Sequence, residues 1–261
     1  MTAALRRQEP AQEPEPQGIE AEAAELSARY GHLGGEALLR PVLTGGLKGR
    51  IALVSSFGAE SAVLLHQAAS VDPSVPVIFI DTGKLFGETL TYRDRLLARL
   101  GLGDVRSIGP DEAELAAQDA QGVLWLRDDA ACCALRKVRP LARALGPFDA
   151  WITGRKRYQG STRAALPAFE VADGRIKVNP LAGWTRDDVV TYLDRHDLPR
   201  HPLEADGFLS IGCMPCTDRV APGEDARSGR WRGRGRTECG IHLSLSSAPG
   251  TAAGAGAGDP Q

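Results

Sequence analysis

The sequence predicts an α/β fold, a parallel β-sheet with flanking helices. Short apolar runs alternate with longer helix-like segments along much of the 261-residue chain, which is the pattern of strand–helix–strand units. Small and polar residues follow the first two apolar runs directly, at the strand ends where such sheets bind ligands. We find no internal repeat, and the length suits one sizeable domain with residues to spare at both ends.

We expect one domain between two terminal segments. Residues 1–20 are rich in Glu, Pro and Gln and are predicted to be disordered. Residues 21–243 form the domain, and its last part, from about residue 217 to 243, is interpreted as a catalytic arm. Residues 244–261 are a low-complexity run of small residues and are predicted to be flexible.

The predicted elements alternate between apolar strands and longer helices. Residues 21–40 favour one or two helices, broken at Gly34-Gly35. Strands are predicted at 51–55, 75–80, 105–108 and 151–153, with a hairpin at 169–178 that turns at Asp173-Gly174. Helices are predicted at 59–69, 88–100, from 111, at 130–145 and at 185–196.

Charge and hydropathy argue against several classes of function. Lys and Arg number 31 and Asp and Glu 33, so no global basic field favours nucleic acid. No apolar run reaches membrane-spanning length, and the first residues lack the apolar core of a signal peptide. We therefore expect a cytoplasmic protein without nucleic-acid or membrane partners, and a homo-oligomer stays open.

The turn after the first strand has the composition of a phosphate-binding loop. Glycine and small hydroxyl residues there let backbone N–H groups and a helix N-terminus surround a phosphate. The candidate residues are Ser55, Ser56, Gly58 and Ser61. No Gly-Lys-Ser/Thr follows, so this is not a P-loop, and the segment resembles the Ser-x-Gly-x-x-Ser loop of the adenine-nucleotide α-hydrolase-like (PP-loop) superfamily. An ordinary capped turn is the alternative.

The five cysteines form two pairs and leave one alone. The pairs are Cys132-Cys133 and Cys213-x-x-Cys216, and the fifth is Cys239. Four paired thiols suit a four-thiolate metal site, with the fifth thiol free to react. Adjacent helical residues point about 100° apart, so the tandem pair suits a four-iron cluster better than a single zinc ion. Free buried cysteines, a redox pair or half a zinc site are the alternatives.

Basic residues lie near the cysteines and on one loop. Lys137 follows Cys133 by one helical turn, and an arginine-rich loop runs from residue 154 to 163. Arg227 and Arg230 lie between the second cysteine pair and Cys239. Such residues can bind an anion, although charged groups on loops are often only solvated.

Cys239 has the sequence context of a nucleophile. A thiol must ionise to attack, and neighbouring basic residues are expected to lower its pKa: Arg232, Arg234, Arg236 and His242. Glu238 is expected to oppose that effect. Glycines on both sides of Cys239 indicate a mobile arm that opens and closes.

These motifs together resemble one enzyme family. Cys132-Cys133-x-x-Arg136-Lys137, Cys213-x-x-Cys216 and Glu238-Cys239-Gly240-x-His242 are similar to the motifs of cluster-containing assimilatory adenylylsulfate (APS) reductases. The residues from Asp81 to Thr89 also fit the wider phosphoadenylylsulfate (PAPS) reductase family. The resemblance extends from about residue 50 to 243. Arg155 and Tyr158 depart from the family pattern, which has an apolar residue and an acid there.

The resemblance implies roles for individual residues. The paired cysteines would ligate a [4Fe-4S] cluster, and Cys239 would be the nucleophile. Basic, glycine and histidine positions around cluster and substrate are implied for Lys137, Gly154, Arg157, Arg163, Arg227, Arg230 and His242.

The implied reaction belongs to assimilatory sulfate reduction. The Cys239 thiolate attacks the sulfur of adenosine 5′-phosphosulfate, AMP leaves, and a thioredoxin thiol then releases sulfite from the S-sulfocysteine. Reduction of PAPS, or of both nucleotides, is the nearest alternative. An ATP-dependent PP-loop tRNA thiolase and a non-enzymatic redox-sensing or zinc-binding nucleotide module are the more distant ones.

Overall fold

A six-stranded sheet forms the centre of the computed structural model, which describes residues 18–233 and 238–242. Its strands are β1 Ile51–Ser55, β2 Val77–Ile80, β3 Val105–Ile108, β4 Ala150–Ile152, β5 Phe169–Ala172 and β6 Arg175–Val178. Their order across the sheet is β3-β2-β1-β4-β6-β5. The edge strand β5 pairs antiparallel with β6, and the other neighbours pair parallel. The predicted α/β fold class is confirmed.

Helices connect and cover the strands. They are α1 Ile19–Tyr30, α2 Gly35–Thr44, α3 Ser61–Val71, α4 Gly87–Leu100, α5 Glu112–Gln118, α6 Leu124–Arg127, α7 Asp129–Cys133, α8 Arg139–Ala144 and α9 Arg186–Arg195. Helix α1 begins inside the segment that the composition predicted to be disordered, whereas residues 1–17 and 243–261 lie outside the described residues. Within the described ranges, no helix is both long and apolar enough to span a bilayer.

Apolar side chains cover both faces of the sheet, as a parallel sheet requires. One core contains residues of β1 and β2, such as Leu53 and Phe79, packed with residues of α2, α3 and α9. The other core joins Ala52 and Ile78 to Leu141 of α8 and to Trp151 of β4. The sheet is therefore the middle layer between two sets of helices.

The direction of chain progression across the sheet reverses between β1 and β4. Open α/β sheets bind ligands at such a reversal, beyond the carboxyl ends of the strands. The loop after β1 is anchored there by Phe57, which is fully buried and makes an edge-to-face contact with Phe79 at 5.4 Å. Phe57 has a positive φ of 49°, a rare conformation for a non-glycine residue that often marks a functional loop.

The helix predicted at 130–145 is not one regular α-helix. A π-helical turn, Ala134–Val138, separates α7 from α8. Pro140 lacks the N–H that would donate to the carbonyl of Arg136 four residues earlier, so a wider turn is accommodated there. This turn carries Lys137, directly after the tandem cysteines.

A buried ion pair fixes the π-helical turn against the sheet. Arg136 donates from Nε and Nη2 to Asp119 Oδ2 at 3.0 and 2.7 Å and from Nη1 to the carbonyl of Thr82 at 2.9 Å. The Thr82 hydroxyl in turn lies 3.2 Å from the sulfur of Cys213. Burial alone would raise the pKa of Asp119, but hydrogen bonds from Arg136 and the Leu124 N–H hold it below its usual value.

Removing the charge of Asp119 should destabilise the fold. Asp119→Asn leaves the Arg136 guanidinium buried without its counter-ion, and we expect a loss of about 3 kcal/mol in the free energy of unfolding at neutral pH. Because the folded pKa of Asp119 is lowered, the stabilisation is present above its ordinary pKa and is lost as the pH falls through the folded value.

Denaturant unfolding followed by circular dichroism measures this change. Asp104→Asn is the matched control, since the Asp104–Arg106 pair has the same 2.7 Å separation but side chains 38% and 44% exposed, and should cost about 1 kcal/mol or less. Equal losses in both variants would show that the buried pair has no special importance.

Candidate active site

A deep crevice opens at the carboxyl ends of β1 and β4. Two loops form its walls, one after β1 and one after β4, and the segment from residue 209 to 231 covers part of it. Seven basic side chains line it: Lys137, Arg155, Lys156, Arg163, Arg186, Arg227 and Arg230. The cavity is therefore suited to a ligand with several negative charges.

The loop predicted to bind phosphate lies in this crevice. Ser55, Ser56, Gly58 and Ser61 all line it, together with Gly154 from the opposite loop. The Ser55 hydroxyl accepts the backbone N–H of Phe57 at 3.2 Å, which shapes the turn before α3. Gly58 packs closely under the 209–212 segment, since a Cβ there would lie 3.2 Å from the carbonyl of Ile211.

A carboxylate that the sequence reasoning did not select joins the two walls. Glu60 Oε2 accepts from Lys156 Nζ at 2.8 Å and from Gln159 Nε2 at 2.9 Å, while Oε1 accepts from Tyr158 at 2.6 Å. Burial would raise the pKa of Glu60, but Lys156 and Tyr158 lower it below its usual value. Its position inside the Ser-x-Gly-x-x-Ser segment was the signal that could have identified it.

The structure does not bring Arg157 into the crevice. Its Nε donates to the carbonyl of Leu166 at 2.9 Å, and within the short 3-10 helix that it begins, the residues that line the crevice are Tyr158 and Gln159. Lys156 and Arg155 line the cavity instead. The sequence does not show which side chains of an irregular loop point toward the crevice and which point away.

Cys239 lies in the crevice beside Lys137. The Nζ of Lys137 is 3.9 Å from the Cys239 sulfur. A hydrogen bond from the Cys133 thiol, followed by the charges of Lys137 and Arg230, holds the pKa of Cys239 well below its usual value despite its burial. These surroundings favour the thiolate form of the thiol that is predicted to be the nucleophile.

Lys137 is a buried cation surrounded by sulfur. Burial alone would lower the pKa of its ammonium group, but Cys213, Cys239 and Cys133 raise it above the ordinary value. The prediction that Lys137 lies near Cys133 is confirmed by this arrangement. Lys137 therefore lies close both to the paired cysteines and to Cys239.

His242 docks on the sheet without contributing charge. Its ring lies parallel to that of Trp151, with 6.4 Å between the ring centroids, and the neighbouring Ile241 packs against the second core. Burial, and then Lys177 and Arg163, hold the pKa of His242 well below its usual value. The expectation that a cationic His242 activates Cys239 is therefore wrong, because the same basic surroundings keep the imidazole neutral.

Glu238 is paired with a cation in the structure. Its carboxylate turns to Arg163, with both contacts at 2.6 Å. Arg232 lies elsewhere, since its Nη2 is 3.2 Å from Glu224. Arg234 and Arg236, the other expected activators, fall outside the described residues.

Arg227 and Arg230 bring cations close to Cys239. Burial, and then Arg163, lower the pKa of Arg227 to about 10, and burial also lowers that of Arg230. Within the described residues, the buried Nε of Arg230 and Nδ1 of His242 have no hydrogen-bond partner. Unpaired buried donors and acceptors are costly, so this end of the crevice is built to receive a polar anion.

The four paired cysteines line one recess next to Lys137. Cys132, Cys133, Cys213 and Cys216 all line this recess, whose cavity volume is only about 10 Å³. Among the described residues, no three Cys, His, Asp or Glu side chains converge closely enough to hold a single metal ion. Burial, and then Cys213, raise the pKa of Cys132 to about 11, so these sulfurs need a nearby cation to become thiolates.

Comparison with known proteins agrees with this geometry. The chain is 56% identical over 227 residues to the adenosine 5′-phosphosulfate reductase of Mesorhizobium japonicum, covering 87% of this chain and 89% of the relative. It is 53% identical to the same-named enzyme of Chelativorans sp., covering 89% and 96%. The crystal structure of the PAPS reductase from Candida auris superposes with a TM-score of 0.64 at 28% identity, covering 78% and 98%.

The family model of the phosphoadenosine phosphosulfate reductase domain matches residues 50–219. That range contains the nucleotide loop, the arginine-rich loop and both cysteine pairs. The high identity to reductases extends over most of the chain. The chain therefore belongs to the phosphoadenosine phosphosulfate reductase family and is an oxidoreductase that acts on sulfur.

Proposed function

We propose that the protein reduces adenosine 5′-phosphosulfate (APS) to sulfite and AMP in assimilatory sulfate reduction. The observation that carries the proposal is the position of Cys239, whose activated thiol lies in the nucleotide crevice beside the buried ammonium group of Lys137. A cytoplasmic thioredoxin is the proposed electron donor. Residues 21–243 are the proposed reductase domain.

The crevice offers complementary groups to the two ends of such a substrate. Backbone N–H groups of the Ser55–Ser61 turn and the N-terminus of α3 suit a phosphate. The unpartnered Nε of Arg230 lies at the other end, where Cys239 and Lys137 also line the wall. A phosphosulfate placed between them would satisfy charges that the protein alone leaves unbalanced.

The chemistry follows from these positions. The Cys239 thiolate attacks the sulfur atom, the bond from sulfur to the bridging oxygen breaks, and AMP leaves with that oxygen. Lys137 and Arg230 stabilise the thiolate before attack and offset the charge on the sulfonate and phosphate oxygens during it. Neutral His242 adds a polar group to the site without adding further positive charge.

Release of sulfite needs a second thiol. A thioredoxin thiolate attacks the Cys239 sulfur, sulfite departs, and the mixed disulfide is resolved by the second thioredoxin cysteine. Cys239 must become accessible for this step. The glycine directly after it, Gly240, supports a movable arm.

APS is the proposed substrate in preference to PAPS. Both relatives reported above are named adenosine 5′-phosphosulfate reductase. The pairing of Glu60 with Lys156 supports the same choice, because it occupies a cation that could otherwise bind an additional phosphate. The wall opposite Glu60 uses Lys156 to neutralise that carboxylate, so Lys156 is not free to bind a phosphate.

A [4Fe-4S] cluster is the proposed cofactor of the recess. The chemistry of the donors supports it, since four cysteine thiols, those of Cys132, Cys133, Cys213 and Cys216, line one recess. When bound, the cluster would hold all four sulfurs as thiolates and place its charge next to Lys137. The electrons for the reduction come from external thiols.

Intact mass spectrometry tests the reaction and the nucleophile together. Protein purified anaerobically and mixed with APS, without reductant, should gain one sulfonate that thioredoxin removes. Cys239→Ser should gain none, since it lacks the thiolate. Faster loading from APS than from PAPS is expected. No loading from either nucleotide, with the cluster intact, would contradict the proposed function.

Gly212→Ala should weaken substrate binding without unfolding the protein. A Cβ at Gly212 would lie 2.2 Å from Nη2 and 2.6 Å from Cζ of Arg230, so the guanidinium must move while the backbone stays. Loss of one charge-assisted contact should raise the KM for APS about tenfold. Steady-state kinetics and a thermal melt measure the two effects.

The control for Gly212 is Gly87→Ala at the start of α4, where an added Cβ meets nothing within 4 Å. Its KM should be unchanged. An unchanged KM in Gly212→Ala as well would show that the position of Arg230 does not matter for binding.

Iron analysis tests the cofactor separately from activity. Anaerobically purified protein should contain about four iron atoms and about four acid-labile sulfides per chain. Cys132→Ser and Cys213→Ser should lose most of both, while Cys239→Ser should keep them because its sulfur is not a proposed ligand. One zinc per chain and no iron would contradict the assignment.

A further inference from the structure

The residues from Glu238 to His242, named here the docked arm, are held on the crevice at three places. The Glu238 carboxylate contacts Arg163, the Cys239 sulfur lies near Lys137, and Ile241 and His242 pack on the sheet. The second and third contacts belong to the nucleophile and to the core. The first contact has no part in the chemistry described above.

The contact between Glu238 and Arg163 has the geometry of a strong ion pair. Arg163 Nε donates to Oε1 and Nη2 donates to Oε2, each at 2.6 Å. The Thr162 hydroxyl adds a bond to Oε1 at 3.2 Å, and Arg227 Nη2 lies 3.6 Å from Oε2. The two principal side chains are only 7% and 10% exposed, and such bidentate pairs specify orientation as well as energy.

Arg163 is already occupied when the arm is docked. Its third nitrogen, Nη1, donates to Gln159 Oε1 at 2.6 Å, so each nitrogen atom of the guanidinium contacts a protein oxygen. Arg230 differs, because its Nε has no partner within the described residues. These two arginines therefore have different roles. Arg230 is available to bind a ligand, whereas Arg163 binds the docked arm.

We propose that Arg163 and Glu238 form a latch that positions Cys239, and that Arg163 serves the arm and not the substrate. The expected effect of this latch on the rate of Cys239 sulfonation rests on the proposed function. Glu238 immediately precedes Cys239, so a fixed carboxylate fixes the backbone of the nucleophile. Gly240 follows, and without the latch the thiol is free to leave Lys137.

The latch also connects the arm to the nucleotide loop. Gln159, which accepts from Arg163, donates to Glu60 Oε2 at 2.9 Å, and Glu60 directly precedes helix α3 at the loop. A continuous chain of hydrogen bonds thus joins the docked arm to the crevice wall at Glu60. Cys239 is positioned relative to the same residues that hold the substrate.

A double-mutant cycle distinguishes a latch from a substrate contact. Glu238→Ala, Arg163→Ala and the double variant are loaded with saturating APS in single-turnover experiments, and sulfonation of Cys239 is followed by intact mass. Each single variant should slow loading about tenfold or more because the thiol is misplaced. The double variant should be no slower than the slower single variant, since both changes remove one interaction.

Binding and thiol exposure give two independent readouts. APS affinity, measured by calorimetry in a Cys239→Ser background, should change less than about twofold on adding Arg163→Ala or Glu238→Ala. Alkylation of Cys239 by iodoacetamide at a pH that ionises every thiol should be faster in both variants. Glu224→Ala, which removes an exposed Glu–Arg pair on the same C-terminal segment, should change none of these values.

The outcomes separate the latch from the proposed function. Two results would overturn the latch and assign Arg163 to substrate binding. One is weaker APS binding in Arg163→Ala but not in Glu238→Ala, and the other is a rate loss in the double variant equal to the product of the two single losses. If the wild-type protein does not load APS at all, the proposed function fails. The alkylation rates then still decide, since equal acceleration in both single variants supports the latch and unchanged rates refute it.

Discussion

The site depends on one buried ammonium group. Lys137 is fixed by a π-helical turn that Arg136 and Asp119 hold against the sheet, and its Nζ reaches the Cys239 sulfur at 3.9 Å. A buried cation is costly unless negative charge surrounds it. The sulfurs of Cys213, Cys133 and Cys239 all lie near Lys137, and their negative charge stabilises its ammonium group.

Several cations in and behind the crevice lie close together in a buried environment. Burial, and then Arg155, lower the pKa of Lys177 to about 7, and burial with Arg163 lowers that of Arg155 to about 10. Depressed cation pKa values mean that these groups repel one another in a dry environment. A multiply charged anionic ligand relieves that repulsion.

The sequence predicted what depends on local pattern. Strands β1 and β3 and the hairpin of β5 and β6 followed from hydrophobic runs and turn residues and are confirmed in the structure. The predicted serine loop lies in the crevice. The π-helical turn was missed because periodicity alone does not register one widened turn. Arg157 was selected and Glu60 overlooked because side-chain direction on a loop depends on distant partners, here Leu166 and Lys156.

The sulfur of Cys133 has two roles, since it is a proposed cluster ligand and also influences the pKa of Cys239. In the protein alone its thiol is the largest influence that lowers the pKa of Cys239, but a metal-bound thiolate has no proton to donate. With the recess filled, the nucleophile would rely on Lys137, Arg230 and the Ile241 N–H for its charge. Activation of Cys239 then depends on how strongly the sulfurs across Lys137 compete for the same ammonium group. That competition would give the four cysteines an electrostatic effect on the reaction.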